Sequence, residues 1–563
     1  MGEVHHDEAE YFRSELALLQ FSDTNFKSSL SSQFIDIHDE PTTSFGTESD
    51  SSISSSQSEQ VDENEQHVHP KDEWLPITES RNGNAYYAAF HILNSNIGFQ
   101  ALMLPVAFAT LGWAWGSVSL SIAFIWQLYT IFLLIEFHEC ASGKRHSRYL
   151  FLVMFAFGER LGKVAALFPI MYQSGGTCII LIITGGGTMK QLIKILCEND
   201  NGVETCSAPS LSGVEWFLVF TCVAILVAQS PNLNSVVAVS LVGAVASITY
   251  CTLFWSLSVK KGRPEDHRTA RTGWFCAGLH GFSRFGRGPV LHANRTELRS
   301  DSRFDWSDRP VRSGFDNLAY NTTLVSQEST VVKISDIINA IGIIVRAFRG
   351  HNVVLEIQGT LPSNFRETSK EPMRKGVIIS YILIAMCLFP LAIAGFWAYG
   401  NQIPDRGLLT AFPKFHKQQV TKFLMGAIYV LVTLHCLSSY QVYAMHVFDN
   451  LELRYTISKN KKCPQWLRTC FRLVFGGITF FIAVMFPFLP SLVALLGGIT
   501  LVPITYAYPC FMWLAIKKPR TKGAMWCFNL VLGCLGMLLS VLLVAAAIRT
   551  LADKGLHANF FKP

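Results

Sequence analysis

The chain is poor in charged residues for its length. Of its 563 residues, 16% are charged and 50% are hydrophobic, whereas soluble domains carry roughly 25% charged residues. This deficit argues against a soluble protein. Apolar runs recur along the chain and centre near residues 98, 125, 177, 220, 247, 346, 388, 434, 480, 503 and 538. Each is about 17–25 residues long, enough to cross a bilayer, so the sequence predicts an all-α membrane protein with about 11 transmembrane helices.

The sequence also lacks the short motifs that usually carry enzyme chemistry. It has no nucleophile elbow, no phosphate-binding loop and no paired-cysteine motif, so we expect neither an enzyme nor a bound cofactor. The residue spacing of a metal site is missing as well. Most of the 14 cysteines lie within apolar runs, where cysteine behaves as a small hydrophobic residue.

Negative charge is concentrated at the N-terminus. Residues 1–80 hold 18 Asp and Glu against 3 Lys and Arg, and the stretch is rich in serine. Such a composition buries too little apolar surface to fold, so residues 1–83 are predicted to be a disordered cytosolic tail before a transmembrane domain at 84–551. The basic residues lie mainly in short loops between spans, which argues against a nucleic-acid partner. No signal-peptide pattern opens the chain.

The basic loops alternate along the chain and predict its orientation. Loops rich in Lys and Arg follow spans 2, 6, 8 and 10, whereas the loops after spans 1 and 9 contain neither residue. The positive-inside rule then places the N-terminus in the cytosol and the C-terminal tail, 552–563, outside the cell or in a lumen. The loop after span 3 would face an oxidising compartment, where a Cys197–Cys206 disulfide could form; free thiols are the alternative.

The stretch 262–332 departs from this pattern. It holds ten Arg and no Lys, and it shows no helical or strand periodicity. We interpret residues 265–326 either as an insert produced by an error in the gene model or as a genuine, variable loop. If the stretch faces outward, Asn294 and Asn321 match the glycosylation pattern.

Two of the predicted spans contain residues that interrupt a helix. Span 1 includes "NSNIGFQALMLP" at residues 94–105, and span 6 includes "INAIGIIVRAFRGHNVVLEIQ" at residues 338–358. They lie five spans apart, which is typical of a transporter built from two inverted five-helix repeats with substrate bound where both helices unwind. Backbone N–H groups at such a break carry partial positive charge and suit a carboxylate.

Five segments of the chain resemble plant amino acid permeases of the amino acid/auxin permease family, and most closely its lysine/histidine transporter-like group. They are "GFQALMLPVAFATLGWAWG", "QSPNLNSV", "FRGHNVVLEIQGTLPS", "GFWAYGN" and "PITYAYPCFMWLAIKKP". The resemblance implies a leucine-transporter-like fold and proton-coupled uptake of amino acids, with the plasma membrane favoured over the vacuolar membrane. Arg346 departs from the family, which has an apolar or aromatic residue there. Either a cavity solvates this charge, or the charge impairs transport.

The two interrupted spans supply most of the predicted substrate site. The backbone amides expected to hold a carboxylate are those of Ile97, Gly98, Phe99 and Gln100. The further candidates for the same cavity are Phe348, Gly350 and His351 on span 6, Tyr172 on span 3, and Ser438 and Ser439 on span 8. The polar side chains on spans 3 and 8 could equally form hydrogen bonds between helices.

A symporter also needs a group that changes its protonation state during the transport cycle. We hypothesise that Glu356 carries the coupling proton and that His351 mainly shapes the pocket. The alternative is that Glu356 serves only as the counter-ion of Arg349. The leading prediction is therefore a proton-coupled amino acid symporter. A carrier of auxin or a related organic acid and a non-transporting amino acid sensor remain as alternatives.

Overall fold

The computed structural model describes residues 72–139, 145–197, 211–230, 232–261, 325–363, 367–416, 420–521 and 523–554. Within these ranges the regular structure is helical and includes no β-strand. The α-helices are α1 Ala85–Asn96, α2 Leu104–Phe137, α3 Tyr149–Phe157, α4 Glu159–Met171, α5 Thr177–Cys197, α6 Gly213–Val227, α7 Val237–Lys261, α8 Val325–Ala347, α9 His351–Gly359, α10 Lys370–Tyr399, α11 Leu408–Phe415, α12 Lys422–Lys459, α13 Gln465–Met485, α14 Leu489–Val502, α15 Tyr508–Lys517 and α16 Ala524–Lys554.

Eight helical stretches among the described residues are long and apolar enough to cross a membrane. They are Phe99–Phe137, Glu159–Cys197, Asn234–Lys260, Lys370–Gln402, Lys422–Lys459, Gln465–Met485, Leu492–Lys517 and Ala524–Asp553. Large apolar side chains such as Ile125, Val164 and Phe423 are exposed on these helices, as a lipid-facing surface requires. The fold is therefore that of a multi-span helical membrane protein. The predicted count of eleven is not confirmed, because α6 has only 15 residues and two predicted spans are divided.

The first and second predicted spans are separated by a break at one residue. Gly112 has φ 73° and ψ 178°, which lies outside helical geometry, although the helix is otherwise continuous from Leu104 to Phe137. Positive φ is costly for any residue with a Cβ atom. The part of α2 before Gly112 therefore completes the first predicted span, and the part after it forms the second.

Both predicted interruptions are present in the structure. After α1 ends at Asn96, Ile97 and Gly98 are extended, and a short 3-10 helix follows from Phe99 to Met103. The second break lies between α8 and α9, where Gly350 has φ +92°. The prediction of broken first and sixth spans is confirmed.

The two broken helices run antiparallel to each other. The half before the first break, α1, contacts the half after the second break, α9. Conversely, the 3-10 helix after the first break contacts α8, which precedes the second. This arrangement is the one that two inverted repeats produce, as the leucine-transporter-like prediction requires. Where the breaks meet, a Cβ atom on Gly350 would lie 2.8 Å from Asn96 Nδ2.

Candidate substrate-binding site

A cavity of about 30 Å³ lies beside the two breaks. The 3-10 helix at the first break, the end of α8, α14 and the start of α5 all contribute to its wall. Six polar side chains line it: Gln100, Tyr172, Gln173, Thr177, Arg346 and Arg349. The other lining residues are apolar or glycine. A cavity of this size has room for about one or two water molecules, so a larger ligand requires it to widen.

Arg349 connects both broken helices at this cavity. Its Nη1 donates a hydrogen bond to Gln100 Oε1 over 2.8 Å, and its Nη2 donates to Thr177 Oγ1 over 2.5 Å. The guanidinium carbon lies 5.4 Å from the centre of the Tyr443 ring. Although Arg349 is only 5% exposed, no carboxylate in the described part of the chain forms an ion pair with it. The structure thus places a buried positive charge between neutral polar groups.

The backbone of the first break offers three of the four amides predicted to hold a carboxylate. The first bond of the 3-10 helix runs from Ala101 N to Gly98 O over 2.9 Å. The N–H groups of Gly98, Phe99 and Gln100 come before this bond in the chain and therefore do not donate within the 3-10 helix. The N–H of Ile97 instead donates to Leu93 O over 3.1 Å and closes the last turn of α1. In this conformation Ile97 contributes its side chain to the core.

The wide turn between α4 and α5 brings span 3 to the cavity. Tyr172–Gly176 is a π-helical turn, and such turns often occur at functional sites because they redirect the side chains of the helix. Tyr172 and Gln173 both line the cavity. Ser174 in the same turn accepts a hydrogen bond from Asn352 Nδ2 over 3.0 Å.

The span 6 candidates lie away from this cavity in the present conformation. The Phe348 ring packs against Phe124, with centroids 6.0 Å apart, and His351 Nε2 lies 2.9 Å from Thr130 Oγ1 on α2. Gly350 lies where the two breaks cross. The residues of span 6 that do line the cavity are Arg346, in the last turn of α8, and Arg349, in the break itself.

Ser438 and Ser439 make hydrogen bonds between helices. Ser438 Oγ accepts from Asn94 Nδ2 over 2.9 Å and donates to Val239 O over 2.5 Å. Ser439 Oγ donates to Asn94 O over 3.0 Å. These bonds tie α12 to α1 and α7, and neither serine is among the residues that line the cavity. The geometry therefore favours the structural alternative for both.

Glu356 is paired with His446, not with Arg349. The Glu356 carboxylate contacts His446 Nδ1, and both side chains are almost fully buried between α9 and α12. The structure therefore gives no support to Glu356 as the counter-ion of Arg349. His446 was not predictable from the sequence, because no local spacing connects it to Glu356, which lies far away along the chain.

The Glu356–His446 pair belongs to a buried ionic cluster along one face of α12. Asp449, one turn after His446, binds Arg148 Nε over 2.6 Å, and Glu452 binds Arg468 Nε over 2.9 Å. The segment before α1 covers this cluster, since Arg468 Nη2 donates to Trp74 O over 2.9 Å. The ionic cluster thus lies towards the start of α1, whereas the cavity lies on the other side of the breaks.

The remaining predicted residues fall in or beside parts of the chain that the structure does not describe. Cys197 is buried at the end of α5, but Cys206 lies outside the described residues, so their pairing stays a prediction. Asn294, Asn321 and nearly all of 262–332 also lie outside them. The same holds for residues 1–71 of the N-terminal tail and for 555–563.

The family to which these features belong is shown by sequence comparison. A sequence model of the family described as "Transmembrane amino acid transporter protein" matches residues 81–281 and 314–549. The chain belongs to this family. The predicted resemblance is confirmed, and the family is one of transporters and not of enzymes. Residues 282–313, which fall between the two matched stretches, lie within the predicted insert.

The chain is also similar to individual proteins of the lysine/histidine transporter-like group. The chain is 46% identical to "Lysine histidine transporter-like 8" of Arabidopsis thaliana, over 88% of this chain and 84% of the relative. It is 42% identical to "Lysine histidine transporter-like 7" of the same plant, over 88% and 90%. Among solved structures, a Na⁺-coupled sialic acid symporter aligns with a TM-score of 0.46 at 12% identity, over 87% and 93% of the two chains.

Proposed function

We propose that this protein transports amino acids across a membrane together with protons, as a symporter. The observation that carries the proposal is the position of Arg349, buried at the meeting point of the two breaks and without a carboxylate partner among the described residues. A buried unpaired charge is costly, and the carboxylate of a substrate would supply the missing counter-ion. The amides of Gly98, Phe99 and Gln100 lie at the same break and would add hydrogen bonds.

The C-terminal end of α8 suits the ammonium group of an amino acid. The last carbonyl groups of α8 carry partial negative charge, because the peptide dipoles of a helix add up along its axis. An ammonium group beside them would be stabilised, while the carboxylate binds on the Arg349 side. Both charged groups of the substrate therefore have partners of opposite sign within the same site.

The Glu356–His446 pair is the proposed location of the coupling proton. It links α9, which follows the second break, to α12. Histidine and carboxylate side chains exchange protons at biologically accessible pH. Protonation of Glu356 would neutralise one partner and weaken the link between these two helices. Movement of a proton would thereby be connected to movement of a broken helix.

The predicted orientation implies that the protein carries substrates into the cell. If the N-terminus is cytosolic, as the basic loops predict, the ionic cluster closes the cytosolic side, while the cavity lies towards the outside. Substrate would then enter from outside and leave once the cluster opens. A location in the plasma membrane is consistent with this direction of transport.

The proposal is tested by uptake of labelled amino acids at external pH values of about 5.5 and about 7.5, a range that brackets the pKa of histidine. We expect uptake to be faster at the lower pH, to be abolished by a protonophore and to be unchanged when sodium is replaced. Uptake of indole acetate without uptake of amino acids would instead identify an organic-acid carrier. Saturable binding of amino acids to the purified protein without any uptake would identify a sensor.

A further inference from the structure

A second arginine lines the same cavity as Arg349. Arg346 lies in the last turn of α8, where the helix dipole favours a positive charge. It is 9% exposed, and its Nη1 is buried without a hydrogen-bond partner in the described part of the chain. The side chain thus borders the cavity, whose lining also contains polar residues.

The position of the Arg346 side chain depends on a glycine of the neighbouring helix. A Cβ atom on Gly497 of α14 would lie 2.7 Å from Arg346 Cδ, closer than real Cβ atoms come to other atoms. A glycine at 497 thus leaves the space through which the side chain reaches the cavity. This close packing indicates that the Arg346 side chain is held in a defined position beside α14.

The charge of the cavity is strongly one-sided. Its lining contains the two guanidinium groups of Arg346 and Arg349 and, among the described residues, no carboxylate. Two arginines together favour a ligand with two anionic groups, since each guanidinium binds a carboxylate through charge-assisted hydrogen bonds. An amino acid with a cationic side chain would add a further positive charge to its own ammonium group and the two guanidinium groups in this low-dielectric space, which is unfavourable.

We propose that the preferred substrates are amino acids with a second carboxylate, such as glutamate, and that cationic amino acids are rejected. The α-carboxylate binds Arg349 and the break amides, and the side-chain carboxylate binds Arg346. This inference rests on the proposed transport function and adds the substrate class. It also separates this chain from what the words "lysine histidine" in the names of its relatives would suggest.

Glutamate and glutamine provide a matched pair for the test, because they differ in one carboxylate and have nearly the same shape. At an external pH of about 6, the side chain of glutamate is ionised. We expect the ratio of Vmax to KM to be at least about 10-fold higher for glutamate than for glutamine, since one hydrogen-bonded charge pair contributes this much. Lysine should be transported least.

The variant Arg346→Gln should lower the glutamate-to-glutamine ratio by about 10- to 100-fold, because the second carboxylate loses its charged partner. Arg406→Gln, at an exposed position in the loop after α10, removes the same charge outside the cavity and should leave the ratio unchanged. Arg346→Glu should raise the uptake of lysine relative to glutamate. Surface levels of each variant are measured in parallel.

A glycine substitution gives a second test that leaves the charge of the chain intact. Gly497→Ala should displace the Arg346 side chain and lower the same ratio. Gly477→Ala, where a Cβ atom meets nothing within 4 Å, is its matched control. If Arg346→Gln fails to reach the membrane, this pair and the preferences of the parent protein still decide the question.

Two outcomes overturn the inference while the transport function stands: glutamine carried as well as glutamate by the parent protein, or a ratio unaffected by Arg346→Gln and Gly497→Ala. Glutarate, which has both carboxylates but no amine, should compete only weakly. Competition equal to that of glutamate would overturn an amino acid as the preferred substrate. Absence of uptake of every amino acid would overturn the proposed function itself.

Discussion

Arg349 Nη1 donates a hydrogen bond to Gln100 Oε1 over 2.8 Å, and this bond connects the two broken helices beside the cavity. A Cβ atom on Gly98 would lie 2.9 Å from that oxygen and 3.3 Å from Arg349 Nη1, so glycine at 98 leaves room for the pair. A substrate carboxylate that binds Arg349 would compete with Gln100 as the acceptor. We therefore expect substrate binding to change the connection between the helices that have to move during transport.

Replacement of Arg349 should weaken transport of every amino acid. Arg349→Gln removes the charge that a substrate carboxylate needs, and we expect KM to rise by about 10- to 100-fold for glutamate and glutamine alike. Arg349→Lys should restore little of the uptake, because an ammonium group cannot reproduce the bidentate geometry of a guanidinium group. The measurement is the dependence of uptake on substrate concentration, with Arg406→Gln as the control. An unchanged KM in Arg349→Gln would show that the carboxylate binds elsewhere.

Glu356→Gln should separate proton coupling from substrate movement. The amide cannot take up or release a proton, so we expect uptake to lose its dependence on external pH, while exchange of preloaded substrate continues. The control is Glu371→Gln, which changes an exposed carboxylate at the start of α10. If uptake by Glu356→Gln still rises on acidification as in the parent protein, Glu356 does not carry the coupling proton.

Gly350→Ala should destabilise the protein at the crossing of the two breaks. The backbone there has φ +92°, and a Cβ atom would meet Asn96 Nδ2 at 2.8 Å and Ser95 Oγ at 2.9 Å. Backbone strain of this kind costs about 1–3 kcal/mol, and the close contact adds to it. We expect a lower melting temperature of the purified protein. Gly187→Ala in α5, where a Cβ atom meets nothing within 4 Å, should melt like the parent.

Residues 265–326 should be dispensable for transport. A chain that joins Pro264 directly to Gln327 is expected to reach the membrane and to take up amino acids at least as well as the full chain. Removal of residues 282–313 alone, the part between the two stretches that match the family, is the matched comparison. Loss of uptake at a normal surface level would show that the segment has a function.

Much of the architecture follows from local features of the sequence. A break in span 1 was predictable because Asn94, Asn96 and Gly98 stand within an apolar run, where each weakens a regular helix. The break in span 6 was predictable from Arg349 and Gly350 for the same reason. These are effects of neighbouring residues on one helix, and the structure shows both breaks at the predicted places.

The contents of the site were less predictable. Tyr172 and Gln100 line the cavity, although the backbone amide of Gln100, and not its side chain, was the predicted contact. Ser438 and Ser439 bond to neighbouring helices, and His351 faces Thr130. A polar residue within a span is equally suited to a substrate and to another helix. Only the rotation of each helix about its own axis decides between them. The spacing of Arg346 and Arg349 on one face was the available signal for a charged cavity.

The sequence by itself determined that the chain is a helical membrane protein with two interrupted spans, because hydrophobic length and helix-breaking residues act locally. Only the tertiary structure decided that Glu356 pairs with His446, that Arg349 has no carboxylate partner among the described residues, and that Arg346 enters the cavity beside Gly497. Those relationships join residues far apart in the chain. Their physical basis is the packing of α8, α9, α12 and α14, which sets which charges share a low-dielectric space and which remain for a substrate.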